Sequence, residues 1–363
     1  MKRALLYAPM NPLVPGAPPS GDRAMTGLLS RALEAIGIRT EPASPLRSYE
    51  GQGNAAQHSA IADAAKAEIP RLMSQHRDNP PALWLTYLSY YKSPDHLGPH
   101  VAKALGIPYV IIEASHAPKR ATGDFAAPFA AAKFALESAD AVIAMTQHDA
   151  AMLQQIVPAE RLHRLAPFID TARFLGLPRK SGLTPLILSV AMLRPGKKLA
   201  NFPLIAAALA RIADLKWFYV VAGGGEGEAE AKAAFANFPK DRITFMGAVP
   251  PDAMPSLYAR ADLYLWPGLK EAYGLSFLEA QASGLPVAAC DTAGVPAVVE
   301  QGRGGLLSPA GDADALAQSL RILLMNTQTR TIMGEVAAEF VHGERDIAHA
   351  AVRLRSILTP LLA

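Results

Sequence analysis

Short apolar runs recur along this chain, and between them lie longer Ala- and Leu-rich segments of helical period. Strands apolar on both faces, each followed by a returning helix, fit a parallel sheet covered on both sides. In the first half, strands are expected at Ala4–Ala8, Arg39–Ala43 (the weakest), Ala82–Thr86, Tyr109–Ala114 and Ala141–Met145. Helices are expected at Ala24–Ile36, Ala56–Gln75, around His100–Leu105, and at Phe125–Glu137. The pattern restarts after Pro167-Phe168-Ile169-Asp170 and a stretch rich in Gly, Pro and Ser, Leu175–Thr184, which reads as a linker. Second-half strands are expected at Leu186–Val190, Trp217–Ala222, Ile243–Met246, Leu263–Trp266, Pro286–Ala289 and Gly305–Leu307. A last helix, Ile347–Leu362, should follow a polar break at His342-Gly343-Glu344-Arg345.

A length of 363 residues suits two domains, each with its own core. The expected division is 1–175, 176–343 and a C-terminal helix, 344–363, returning to the first domain. The lone Cys290 excludes an internal disulfide framework and a Cys-cluster zinc site, and fits a reducing, cytoplasmic setting. The apolar run after Met1-Lys2-Arg3 is broken by Pro9 and Pro12, too soon for a signal-peptide core. Basic residues exceed acidic ones by 17 to 15 in residues 1–175 and by 18 to 17 in the remainder, without a basic stripe. Nucleic acid is therefore not an expected partner. Peripheral contact with the inner face of an anionic membrane stays open.

In open parallel sheets, ligands bind outside the carboxyl ends of the strands. The conspicuous segments all fall there. Ser20-Gly21-Asp22-Arg23 follows the first strand, with Ser20 or Asp22 a candidate helix cap. His116 closes the run IIEASH; on chemistry alone, such a histidine is more often structural than catalytic. Arg194, Lys197 and Lys198 follow LILSV, and Gly223-Gly224-Gly225 follows WFYVVA without the full dinucleotide spacing. Gly274 opens a helix that Gly284 should end, with Leu275, Leu278 and Ala282 as its buried stripe. The unpaired amides of about Leu275 to Phe277 would then form an anion site. Glu271 stands just before this helix and Glu279 within it. The order carboxylate, phosphate cradle, carboxylate suits a nucleotide-sugar; a capping Glu271 and a solvated Glu279 fit the spacing equally well. Trp84 reads as core, while Tyr90 and Tyr91 are open to either a packing or an acceptor role.

The E-x7-E pair Glu271/Glu279, with the following AQASGLPVAACDTAGVPAVVEQGRGGLL, closely resembles the donor-binding core of family-4 retaining glycosyltransferases. The resemblance is specific over about 186–320 and looser in the first half, through the glycine-containing loop after strand one, the strand-end histidine and the PFIDTARF turn. It implies a GT-B fold: two Rossmann-like α/β domains with parallel sheets facing across an inter-domain cleft. It also implies Glu271 on the transferred sugar, Gly274 and Leu275 on phosphate, and Glu279 on the ribose. Arg194 and Lys198 would stabilise the leaving phosphate, with Lys197 as a rival. Met192 stands where the family often has its arginine, and Arg194 comes two residues later. Gly21, Gly223 and Gly224 would border the donor, and His116 would contact its sugar. Neither a metal nor another cofactor is expected.

The expected activity is glycan biosynthesis: retaining transfer from a UDP- or GDP-sugar to a hydroxyl acceptor that is a glycan, a lipid-linked group or a small molecule. Two rivals share the fold. One is a nucleotide-sugar epimerase or hydrolase; the other is a non-catalytic nucleotide-sugar-binding protein.

Overall fold

The computed structural model describes residues 1–16, 20–177, 182–196 and 198–362. Lys197 lies outside the described residues, as does part of the linker Leu175–Thr184. Two compact units result: Met1–Ala166 with Ile347–Ala363, and Pro167–Asp346.

The first unit holds a six-stranded sheet of β1 (Lys2–Tyr7), β2 (Ile38–Pro42), β3 (Leu83–Ser89), β4 (Tyr109–Ala114), β5 (Ala141–Ala144) and β6 (Leu162–Arg164). Every pairing is parallel, in the order β2-β1-β3-β4-β5-β6. β4 is buried along its whole length, as a central strand covered on both faces must be. β6 escapes the apolar pattern because it is a three-residue edge strand, LHR, only partly buried. The helix Gly21–Glu34 buries Met25, Leu29, Ala32 and Leu33, one face at helical spacing. Ser20 caps it, Oγ accepting from the Arg23 amide at 3.2 Å, which settles the capping choice between Ser20 and Asp22. Trp84 is fully buried in the core with Tyr7, Tyr109 and Ile111.

The second unit holds β7 (Leu186–Val190), β8 (Phe218–Ala222), β9 (Ile243–Phe245), β10 (Leu263–Leu265), β11 (Val287–Asp291) and β12 (Gly305–Pro309). Their order is β12-β11-β10-β7-β8-β9, again all parallel. This is the doubly wound order, in which the winding reverses between β7 and β10.

Three expectations need correction. The chain passes between units at 166/167 and 346/347, not at 175/176 and 343/344. Pro167–Phe174 belongs to the second unit because it is tied there. Ile169 N–H donates to Arg345 O at 2.9 Å, Thr171 Oγ1 to Asp346 Oδ2 at 2.7 Å, and the Phe174 ring lies 6.0 Å from that of Tyr258. The polar residues His342 to Glu344 do not break the chain: they continue the helix Thr327–Glu344, where His342 Nε2–H donates to Ala282 O at 2.9 Å. In the helix Leu275–Ala282 the buried residues are Phe277, Leu278, Ala280, Gln281 and Ala282, while Leu275 is only partly covered.

The helix Ile347–Leu358 packs against Gly21–Glu34 in the first unit and buries Leu354 completely. Leu354→Ala should therefore destabilise the first unit by about 2–5 kcal/mol, read as a lowered urea midpoint for its transition. An unchanged midpoint would mean that this helix contributes nothing to that core.

Candidate functional site

The reversal of winding sets β7 beside β10, with Ile187 opposite Leu263 and Leu188 opposite Tyr264. Loops far apart in sequence therefore leave the sheet side by side. The loop after β7 carries Arg194 and Lys198; the loop after β10 carries Glu271. The structure joins the last two: Lys198 Nζ donates to Glu271 Oε1. The same oxygen accepts from Trp266 Nε1 at 3.1 Å, and Lys198 Nζ lies 5.9 Å from the centre of that indole. Glu271 is the more desolvated partner, its side chain 12% exposed against 34% for Lys198.

Sequence reasoning did not find two residues that hold this pair. Asn201, fully buried, donates from Nδ2 to Lys198 O at 3.1 Å and accepts the Leu269 amide on Oδ1 at 2.9 Å. One side chain thus clamps the basic loop to the carboxylate loop. In the sequence, Trp266 stands only as the last residue of an expected strand. Its indole N–H, a donor that needs a partner when buried, was the available signal.

Gly274 caps the helix Leu275–Ala282 with φ +81°, and a Cβ there would come within 2.9 Å of the Phe277 ring. Only glycine suits both demands. The Phe277 amide is bonded to Gly274 O at 3.2 Å, so of the three amides expected to be unpaired at this helix start, that of Phe277 is not. Ser276 is oriented by Tyr264, whose hydroxyl donates to its Oγ at 2.8 Å. Glu279 is neither solvated nor loose, since Tyr258 OH donates to its Oε2 at 2.9 Å. Burial pushes the Glu279 carboxyl above the ordinary range, against the opposing pull of the Tyr258 bond and the Arg173 charge.

The glycine run joins the same edge. Gly223 N–H donates to Gly247 O at 2.8 Å, and Gly224 O accepts the Leu193 amide at 3.0 Å, next to Arg194. Gly223 has φ +136°, and a Cβ would fall 1.8 Å from Ala191 O, so the close approach of these loops requires glycine. Arg194 itself is exposed on its loop, its amide bonded to Met192 O at 2.9 Å.

Gly21 and His116 lie in the first unit. Gly21 is the first residue of its helix, and His116 sits two residues beyond β4 with its ring 5.4 Å from that of Phe129. Burial, and next the Lys133 charge, hold the His116 imidazolium below the ordinary histidine range, so the ring is neutral at pH 7.

Residues 178–340 match the family model described as Glycosyl transferases group 1. The GDP-mannose-dependent alpha-(1-6)-phosphatidylinositol monomannoside mannosyltransferase of Mycobacterium tuberculosis is 30% identical over 51% of this chain and 52% of its own length. The D-inositol 3-phosphate glycosyltransferase of Corynebacterium glutamicum is 32% identical over 46% of this chain and 41% of its own. The chain thus spans about half the length of these curated relatives. Among solved structures, sucrose-phosphate synthase from Thermosynechococcus elongatus has a TM-score of 0.76 at 20% identity, over 99% of both chains. Anabaena Alr3699/HepE in complex with UDP-glucose has a TM-score of 0.69 at 16% identity, over 99% of this chain and 100% of its own. The two-unit α/β architecture is the GT-B fold of these proteins.

The Glu279 environment has a measurable consequence. A carboxyl with a raised folded-state pKa costs stability once ionised, and the cost disappears below its unfolded value. Glu279→Gln should leave the second unit at least as stable as the parent at pH 7, with the difference shrinking as the pH falls towards 4.5. Urea titrations across that range would refute the assignment if the difference grew instead.

Proposed function

We propose that this chain transfers a glycosyl group from a UDP- or GDP-sugar to a hydroxyl acceptor, with retention at the anomeric carbon. The observation that carries the reading is the Lys198–Glu271 pair at the reversal of winding, adjoining a helix start that offers the Leu275 and Ser276 amides. In this reading the diphosphate rests on those amides, Glu279 accepts from the ribose hydroxyls, and Glu271 accepts from the sugar hydroxyls. Gly223 and Gly224 border the nucleotide. The first unit contributes acceptor recognition, with Gly21 and His116 at the carboxyl edge of its sheet; the neutral His116 ring suits hydrogen bonding to a sugar.

As the bond between the anomeric carbon and the β-phosphate oxygen breaks, its electron pair stays on the phosphate. Fixed positive charge there stabilises the transition state more than the ground state. Arg194 and Lys198 supply that charge, in the place a divalent cation would otherwise take. Glu271 is committed to two donors, Lys198 and Trp266, and is poorly placed to act as a covalent nucleophile. The acceptor oxygen therefore attacks from the face that the phosphate leaves, and its proton passes to a departing phosphate oxygen. A cytoplasmic location is part of the proposal. Among the described residues, no helix is long and apolar enough to cross a membrane.

A thermal-shift panel of UDP, GDP, UDP-glucose and GDP-mannose tests the reading. At least one should raise Tm by about 5 °C or more at a hundredfold excess over Kd, and Glu279→Ala should lose most of that shift. Silence across the panel would refute the proposal. With the donor so found, Lys198→Met should lower kcat by about 10²–10³-fold; full activity in that variant would remove the leaving-group role.

A further inference from the structure

β3 and β4 are paired neighbours in the first sheet, with Ser89 opposite Ala114. The loops that follow them build a cluster outside the residues assigned so far. The Tyr91 and Phe125 rings meet edge to face at 5.1 Å and 87°. Arg120 lies against both, its guanidinium carbon 5.2 Å from the centre of Tyr91 and 5.5 Å from that of Phe125. Lys92 adds a second cation, its Nζ 5.5 Å from the centre of Phe125 while donating once, to Gly51 O at 2.9 Å.

The nearby carboxylate of Glu50 does not neutralise these charges. It accepts from the Gln52 and Gly53 amides at 2.7 Å each and from Asn54 at 3.1 Å, and His58 Nε2 lies 3.0 Å from it. Among the described residues, Arg120 Nε is buried without a hydrogen-bond partner, and no carboxylate forms an ion pair with the guanidinium. A half-buried guanidinium with five donors in a fixed fork is costly to leave unpaired, and ring contacts return only part of that cost. An incoming anion would return the rest through charge-assisted hydrogen bonds.

We infer that Arg120 and Lys92 form an anion subsite that takes the phosphate group of a phosphorylated hydroxyl acceptor. Both cations lie 5.5 Å from the centre of the same ring, and two such charges match a dianion better than a single carboxylate charge. The site also lies at the carboxyl edge of a parallel sheet, where ligands bind. That the anion belongs to the acceptor rests on the proposed glycosyl transfer; the subsite rests on the geometry around Arg120.

The test uses the full chain, the donor found by thermal shift, and paired acceptors: myo-inositol 1-phosphate with myo-inositol, and glycerol 3-phosphate with glycerol. Glucuronate serves as the carboxylate probe. At least one phosphorylated member should show a KM at least about tenfold below that of its partner. Arg120→Ala and Lys92→Met should each erode that preference, with Arg120→Lys retaining part of it. Equal KM within every pair, or preference for glucuronate over the phosphates, would overturn the proposal while donor turnover upheld glycosyl transfer. Titration calorimetry of inorganic phosphate and myo-inositol 1-phosphate into the free protein decides the subsite even if no nucleotide binds. Binding that Arg120→Ala weakens at least about tenfold supports the site, and binding that is absent or indifferent to Arg120 refutes it.

Discussion

The parallel pairing of β7 with β10 is the constraint from which the second unit's site follows. These strands are separated by two intervening strands in sequence, yet they are direct neighbours in the sheet. Their contact is reinforced from within: Ser189 Oγ donates to Leu265 O, Tyr219 OH donates to Ser189 Oγ at 2.8 Å, and Tyr264 OH reaches Val190 O at 3.3 Å. At a reversal of winding, the helices after the two strands lie on opposite faces, so the loops above them part and leave a crevice. Lys198 and Glu271 meet because the sheet order leaves their loops there. A change of strand order would separate them, whatever the local sequence.

Holding a carboxylate and an ammonium together without a ligand costs desolvation, which the pair's attraction offsets only when the geometry is fixed. Asn201 and the Trp266 indole supply that fixity from opposite sides, one through the backbone and one through the carboxylate oxygen. The arrangement also avoids a penalty on binding. An ammonium has three donors, so Lys198 can keep Glu271 while turning another towards an oxyanion. Glu271 likewise retains lone pairs for a hydroxyl. A site ordered in advance spends less of its binding energy on ordering.

Much of the fold was legible because apolar runs and helical periods report burial directly. Ten of the strands had such runs, and the weak expectation at Arg39–Ala43 also corresponds to a strand, β2. The exceptions are instructive. β6 carries an edge strand's polar sequence, and residues 342–344 stay helical because tertiary contacts such as His342 to Ala282 override a polar, glycine-containing tetrapeptide. In the Gly274 helix, Leu275 is only partly covered although its spacing places it in the buried stripe, while Phe277, also in the first turn, is fully buried. At the site, residue types and order could be read, but partnerships could not. Lys198 and Glu271 stand 73 positions apart, and no local pattern joins them. Asn201 was invisible for a related reason: a buried amide that bonds two backbones has no spacing signature.

The two units treat charge at their sheet edges differently. In the second, each acidic group of the site has a partner within the protein: Lys198 and Trp266 for Glu271, and Tyr258 for Glu279. Groups already satisfied in this way recognise a ligand by sharing bonds, so the ligand must match a fixed pattern. In the first, Arg120 rests on aromatic rings without a carboxylate partner among the described residues. Rings supply area and orientation but impose few geometric demands. A surface of that kind can change its ligand by exchanging one cation or one ring while the sheet beneath stays the same. The thin resemblance in the first half is what such freedom would leave behind, and it makes the chemistry of these few side chains, more than family likeness, the guide to what the first unit binds.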